Sequence, residues 1–174
     1  MLQNAIMRSM DFETIFHAFV ESKEQLKVIS VASCSKEAKP NSAPKMLIDI
    51  VLPNKVYFLD YNHTRSYSNI HENPELSVSF MSDAAFTGYR LNGIGEILAG
   101  GPEFAEAKNR WEKRLIAYEA DRIIQRIQGL YSTKQSENSL PKDFVIVKLT
   151  AAEGSVVKPD RVFRAAATSQ RKEK

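Results

Sequence analysis

Cysteine is almost missing from this chain: Cys34 is the single one in 174 residues. No intrachain disulfide can form, so the fold must rest on its core. Cys34 closes the apolar stretch Val28-Ile29-Ser30-Val31-Ala32-Ser33-Cys34 and reads as a small buried hydrophobe rather than a nucleophile. The three histidines, His17, His63 and His71, have no metal-ligand spacing, so exposed or capping positions are expected and a metal site is not. No apolar run reaches the length that crosses a bilayer. Residues Met1 to Arg8 lack the apolar centre of a signal peptide, which makes a cytoplasmic location the expectation and leaves the triplet Asn62-His63-Thr64 unglycosylated. Charge of one sign is also scarce: 24 basic and 21 acidic side chains leave +3. That balance leans towards an anionic ligand and argues against a nucleic-acid binder. There is no CxxC, no GxSxG nucleophile elbow and no GxGxxG fingerprint, Gly93-x-Gly95 lying inside a strand-like stretch.

What is present is an ordinary globular composition, 43% hydrophobic and 26% charged, with a change of period after the first helix. Phe12, Ile15, Phe16, Phe19 and Val20 recur at three and four, which predicts a helix over about 10–26 with Ser9 or Asp11 as its cap. Strand-like stretches follow at Lys27 to Ser35, Ala43 to Leu52 and Val56 to Asp60, separated by polar, proline-bearing turns. A short helix is predicted from Thr64 to His71, stopped by Asn73-Pro74. Leu76 to Phe80 and Gly88 to Ile97 alternate as strands, with Gly93 and Gly95 marking a bulge or sharp bend. Residues 102–128 carry a long helical pattern, with Phe104, Trp111, Leu115 and Tyr118 on one stripe and a second segment over Asp121 to Gln128. A polar loop from Ser132 to Lys142 leads to a last strand, Phe144 to Leu149. The expected domain is 1–164, followed by a disordered tail, 165–174. About six sequential strands with helices outside them predict a mainly β fold, an antiparallel β-barrel with peripheral helices.

Three places can carry chemistry. Asp60-Tyr61-Asn62-His63-Thr64-Arg65-Ser66-Tyr67 sets a guanidinium between two hydroxyls at the opening of a helix, where free N–H groups already favour an anion. Arg65 can grip phosphate oxygens bidentately while Thr64 and Ser66 donate beside it; the plainer reading is a Thr64 cap beside a solvated Arg65. Lys45 stands inside an apolar strand, where either a nearby anion or an edge position explains it. Arg90, on a half-buried strand, suits an anion contact or a cross-strand ion pair.

The order of these segments resembles the pyridoxamine 5'-phosphate oxidase-like FMN-binding split β-barrel superfamily. The resemblance runs through Lys39 to Lys45, Val56 to Asp60, Thr64 to Ile70, Glu72 to Phe80 and Gly88 to Ile97, roughly residues 27–98. It implies a six-stranded antiparallel Greek-key split barrel that holds FMN at a homodimer interface. Position by position, Thr64, Arg65 and Ser66 match the phosphate clamp, where Ser66 stands for a common lysine. Pro44, Lys45 and Met46 match the strand along the isoalloxazine ring, Leu59 and Asp60 match residues under the ring and ribityl chain, and Arg90 matches a residue lent by the second subunit. The implied function is an FMN-dependent oxidoreductase, a reductase or oxidase of a small organic substrate, with no obligatory acid or base identified. A non-catalytic FMN or electron carrier, and haem or deazaflavin binding on the same barrel, are the alternatives. The C-terminal tryptophan and arginine motif of true pyridoxamine phosphate oxidases is replaced by Asp160-Arg161-Val162-Phe163-Arg164-Ala165, and the one tryptophan, Trp111, lies on a helix. That argues against synthesis of the B6 vitamer.

Overall fold

The computed structural model describes residues 11–82, 86–128 and 144–167. In chain order the elements are α1 (Phe12–Ser22), β1 (Val28–Cys34), β2 (Pro40–Val51), β3 (Lys55–Tyr61), α2 (Arg65–Glu72), β4 (Glu75–Ser82), β5 (Thr87–Leu98), α3 (Gly101–Ile127), β6 (Phe144–Lys158) and β7 (Arg161–Ala166). The sheet runs β3-β2-β1-β4-β5-β6-β7, every described pairing antiparallel, and a further β3–β6 pairing closes the first six strands into a barrel. Closure leaves no long unpaired edge among those six, which is how an antiparallel sheet of this length avoids pairing with other chains.

Strand β6 makes the barrel a split one. Its first half, Phe144 to Thr150, pairs with β3. Its second half, Glu153 to Lys158, pairs with β7 instead, while β5 lies along the other edge of both halves. The β5–β6 register shifts between Asn92 and Gly93, at the glycine where a bulge was expected. A Cβ on Gly93 would lie 2.0 Å from the Thr150 carbonyl oxygen, so only glycine admits this approach.

Two apolar clusters hold the layers together. The interior of the barrel contains Val31, Leu47, Ile50, Val56, Phe58, Val78, Leu91 and Leu149, sealed by Phe12, Ile15, Phe16 and Phe19 of α1. Leu47 and Ile50, three apart, both face inward because the β2–β3 register shifts between Leu47 and Asp49; a regular strand would turn them to opposite faces. Gly154 lets α1 sit close, since a Cβ there would meet Ile15 at 2.9 Å. Outside the barrel, Ile48, Tyr57, Leu59, Leu98 and Ile146 form a second cluster with Ala107 and Trp111 of α3.

Several boundaries differ from the sequence expectation. Helix α1 is shorter, capped by Asp11, whose carboxylate accepts from the Thr14 N–H at 2.8 Å; Ser9 lies outside the described residues. Strand β2 begins at Pro40, because proline is tolerated as the first residue of a strand. The two helical segments of 102–128 are one continuous helix. The last strand continues nine residues beyond Leu149 to Lys158, turns at Pro159-Asp160 and returns as β7. Ala165 and Ala166 therefore belong to the sheet, and the Ala167 N–H donates to the Ala152 carbonyl at 2.6 Å. The Ser132 to Lys142 loop and the tail from residue 168 lie outside the described residues. Cys34 is only half-buried, at the end of β1, because its alternation places it on the outer face. His63 and His71 are exposed and His17 half-buried.

Candidate functional site

The junction between β3 and α2 is built from the inside outward. Along β3 side chains alternate, so Val56, Phe58 and Asp60 face the interior while Tyr57 and Leu59 face α3. Asp60 is fully buried, and Lys45 of β2, 7% exposed, makes an ion pair with it. A lysine and an aspartate inside a barrel are tolerable only as such a pair. Asp60 Oδ1 also accepts from the Tyr61 N–H at 2.7 Å and from the Thr64 hydroxyl at 2.8 Å. Its Oδ2 has no donor among the described residues.

Thr64 passes that order on to the helix. Its Oγ1 donates to Asp60 and accepts from the Tyr67 N–H at 3.1 Å, so it is the N-cap of α2. The capping role foreseen as the plainer reading of Thr64 is thus present. Ser66 is buried, accepting from Asn41 Nδ2 at 3.1 Å, and Asn69 Nδ2 donates to Ser33 at 3.0 Å. This polar seam ties α2 to β1 and β2. Arg65, the first residue of the helix, is exposed, with no hydrogen bond or ion pair among the described residues. Beside it the N–H groups of Arg65 and Ser66 have no acceptor within the helix, as in any first turn.

The expected site residues therefore separate into three groups. Lys45, Asp60, Thr64 and Ser66 are brought together, but their polar atoms turn inward to one another. Arg65 is brought to the same junction and turns outward. Leu59 is 4% exposed and, with Met46, packs in the cluster beneath α3, while Pro44 is exposed on β2. Arg90 lies apart, half-buried on β5, its Nε donating to Ser155 Oγ at 3.1 Å. The cross-strand ion pair considered for Arg90 is absent among the described residues, and a serine takes its place.

A second polar cluster went unread in the sequence. Glu103, in the first turn of α3, accepts from Tyr57 at 2.8 Å, Lys55 at 3.2 Å and Lys148 at 2.9 Å. The Lys148 and Tyr57 hydrogen bonds hold its carboxyl down at about 2, while burial and the Glu103 bond push the Tyr57 phenol up to about 12. Lys148 also pairs with Glu96 at 2.7 Å, and these bonds raise its ammonium above the usual lysine value. The alternation of Lys55 and Tyr57 on β3 was the available signal, but nothing local says that α3 lies across it.

A family model described as pyridoxamine 5'-phosphate oxidase matches residues 15–158. The chain belongs to the pyridoxamine 5'-phosphate oxidase family. No curated protein matches it. Among solved structures it is similar to a Clostridium acetobutylicum protein related to general stress protein 26 of the pyridoxinephosphate oxidase family. That match has 18% identity and a TM-score of 0.62, covering 88% of this chain and 95% of the other. A Nostoc punctiforme pyridoxamine 5'-phosphate oxidase-related, FMN binding protein matches with 10% identity and a TM-score of 0.58, covering 92% and 93%. A heme binding protein from Mycobacterium smegmatis matches with 14% identity and a TM-score of 0.62, covering 87% of this chain but 57% of that longer one. At these identities the likeness is one of fold. Family membership agrees with the mainly β split barrel and its peripheral helices. No described helix is long and apolar enough to cross a membrane.

Proposed function

We propose that this family member is an FMN-binding flavoprotein, homodimeric, that serves as a reductase or oxidase of a small organic substrate. The observation that carries the reading is Arg65: an exposed guanidinium, unpaired among the described residues, on the first residue of α2, whose start the Thr64 cap sets. With the two free N–H groups of the first turn it makes a complete oxyanion grip, so the phosphate end of FMN fits the residues present. Lys45, Asp60 and Thr64 act one layer below. The buried ion pair fixes the Thr64 hydroxyl, Thr64 fixes the helix start, and the helix start aims Arg65. Ser66, held by Asn41, anchors the helix rather than gripping the anion. Bound FMN supplies the two-electron redox chemistry, and the chain supplies binding, orientation and shielding from water. The Nostoc relative, named as FMN binding, supports this cofactor. Arg90 stands on the outer face of β5, where a second copy would meet it. The departure at Asp160 to Ala165, now seen as the β6–β7 turn and β7, keeps B6 vitamer synthesis outside the proposal.

The test is an absorbance spectrum of purified protein, before and after FMN addition and desalting. Retained flavin bands support the reading. A colourless protein overturns it, and a Soret band reassigns the barrel to haem. Arg65→Ala is expected to weaken FMN binding by about 30-fold, the loss of one charge-assisted contact, and to leave riboflavin affinity unchanged. Equal losses for both ligands would remove Arg65 from the phosphate.

A further inference from the structure

Helix α3 carries two apolar stripes, and the barrel uses only one of them. Phe104, Ala107, Trp111, Leu115 and Tyr118 recur at three and four and pack in the outer cluster over β2 and β3. Beyond Tyr118 no described residue of the helix belongs to either apolar cluster. Those last turns are nevertheless apolar. Ile116, Ala120, Ile123 and Ile127 recur at four, three and four, a stripe about 150° around the helix from Trp111. Ile124 flanks it. All five are exposed, the isoleucines between 52% and 82%.

A row of this kind makes a definite geometric demand. Spacing of four, three and four gives the a and d positions of a heptad, whose side chains fit the holes of a facing helix. The row spans less than two heptads, too short to order a free helix. α3 needs no such help, because its first half is already fastened to the barrel. Glu103 accepts from Tyr57 and Lys148, Arg110 donates to Asp49 at 3.0 Å, and Arg114 donates to the Ile48 carbonyl at 3.3 Å. The stripe is thus presented pre-ordered, and little freedom is lost on docking. The four isoleucines expose roughly 450 Å² per copy, so a pair of such helices buries close to the ~1,000 Å² of a specific interface.

Size and charge choose the occupant. The continuation of the chain from Ser132 to Lys142 has one large apolar residue, Leu140, and cannot match the row. A second copy crossing antiparallel matches it at every layer. Ile116 then meets the partner's Ile127, Ala120 meets the partner's Ile123, and Ile124 covers the partner's Ala117. A parallel crossing stacks Ala120 on its own counterpart and leaves a gap. It also brings together both copies of Lys113, the exposed residue next in the row, and like charges facing each other are unfavourable. The antiparallel crossing keeps those two ammonium groups at opposite ends.

We propose that the free end of α3 pairs antiparallel with α3 of a second copy, a contact separate from the β5 face that carries Arg90. It does not rest on flavin binding. If the barrel faces pair as well, the assembly is a tetramer with two different two-fold contacts.

The experiment is the molar mass of the full chain in solution, by light scattering, for the wild type and for Ile123→Glu/Ile127→Glu. Both positions are exposed, so the variant should keep its circular dichroism spectrum while its mass falls to half. A monomeric wild type, or a folded variant of unchanged mass, overturns the proposal. Disulfide capture in a Cys34→Ser background reads the orientation. Ile116→Cys mixed with Ile127→Cys should crosslink the two variants to each other, and neither should crosslink alone. Crosslinks within each variant alone would mean a parallel pair, and no crosslink would mean that the row meets another surface; either result overturns the proposal. Flavin absorbance on the same samples keeps the two readings apart. Absent flavin bands with the mass still halved remove the flavin reading and leave this contact standing.

Discussion

Strand β3 carries an ionic cluster on each of its faces, and the two are built on opposite terms. Inside, Asp60 takes every donor on one oxygen, from Lys45, Thr64 and the Tyr61 N–H, while its second oxygen has none among the described residues. Outside, Glu103 spreads its two oxygens over Tyr57, Lys55 and Lys148 and stays 36% exposed. The interior pair has given up its water, so its charges depend on each other. The exterior cluster keeps water within reach, so each of its contacts is replaceable. The interior cluster thus sets geometry that the candidate site inherits, whereas the exterior one fastens α3 to the barrel.

The sharpest way to break this contrast is Asp60→Leu, which strands the Lys45 ammonium in the core. A loss of about 3–5 kcal/mol is expected in urea unfolding, and Lys45→Met/Asp60→Leu should recover most of it. A small loss in the single variant would mean that the pair is solvated after all. Thr64→Val comes next, since it removes the cap of α2 together with a donor to Asp60; about 1–2 kcal/mol is expected. If the helix start is set from below, the same variant also weakens FMN binding while Arg65 remains in place. Unchanged FMN affinity would uncouple the interior pair from the grip.

The smallest effect belongs to the exterior cluster and appears as a pH dependence. The Glu103 carboxyl is lowered from 4.5 to about 2 in the folded protein. A depressed carboxyl contributes stability above its unfolded value, and that contribution is lost as pH falls from about 4.5 through about 2. At 36% exposure solvent screening limits it to about 1 kcal/mol. Glu103→Gln should therefore lose about that much at neutral pH and show a flatter decline in stability below pH 4.5. An identical acid profile in both proteins would show that another carboxylate carries the acid dependence.

Much of this was legible before folding. The three-and-four spacing of Phe12, Ile15, Phe16 and Phe19 placed α1 on a core, and all four are buried. Alternation placed β4 and β5, and the pair Gly93 and Gly95 marked a bulge or bend, which the register shift locates at Gly93. The residue order from Lys39 to Ile97 pointed to the family that the comparison found. Periodicity is a local property, so single stretches reveal it. Beyond reach were the second half of β6, past Leu149, and β7. These are held by pairing with β5 and by Ile15 filling the space over Gly154, neither of which is local in the chain. The direction of each polar side chain was equally hidden. Thr64, Arg65 and Ser66 look alike as candidate donors, yet the helix turn sends one to a buried aspartate, one to solvent and one beneath Asn41.

The sequence by itself thus determined which residues alternate, where helices begin and which family's pattern the chain carries, because these depend on neighbours a few positions apart. Only the tertiary structure decided that Lys45 and Asp60 satisfy each other, that α3 covers Leu59, and that Arg90 donates to Ser155. Those relations join residues fifteen or more positions apart, and barrel closure and strand register bring them within reach.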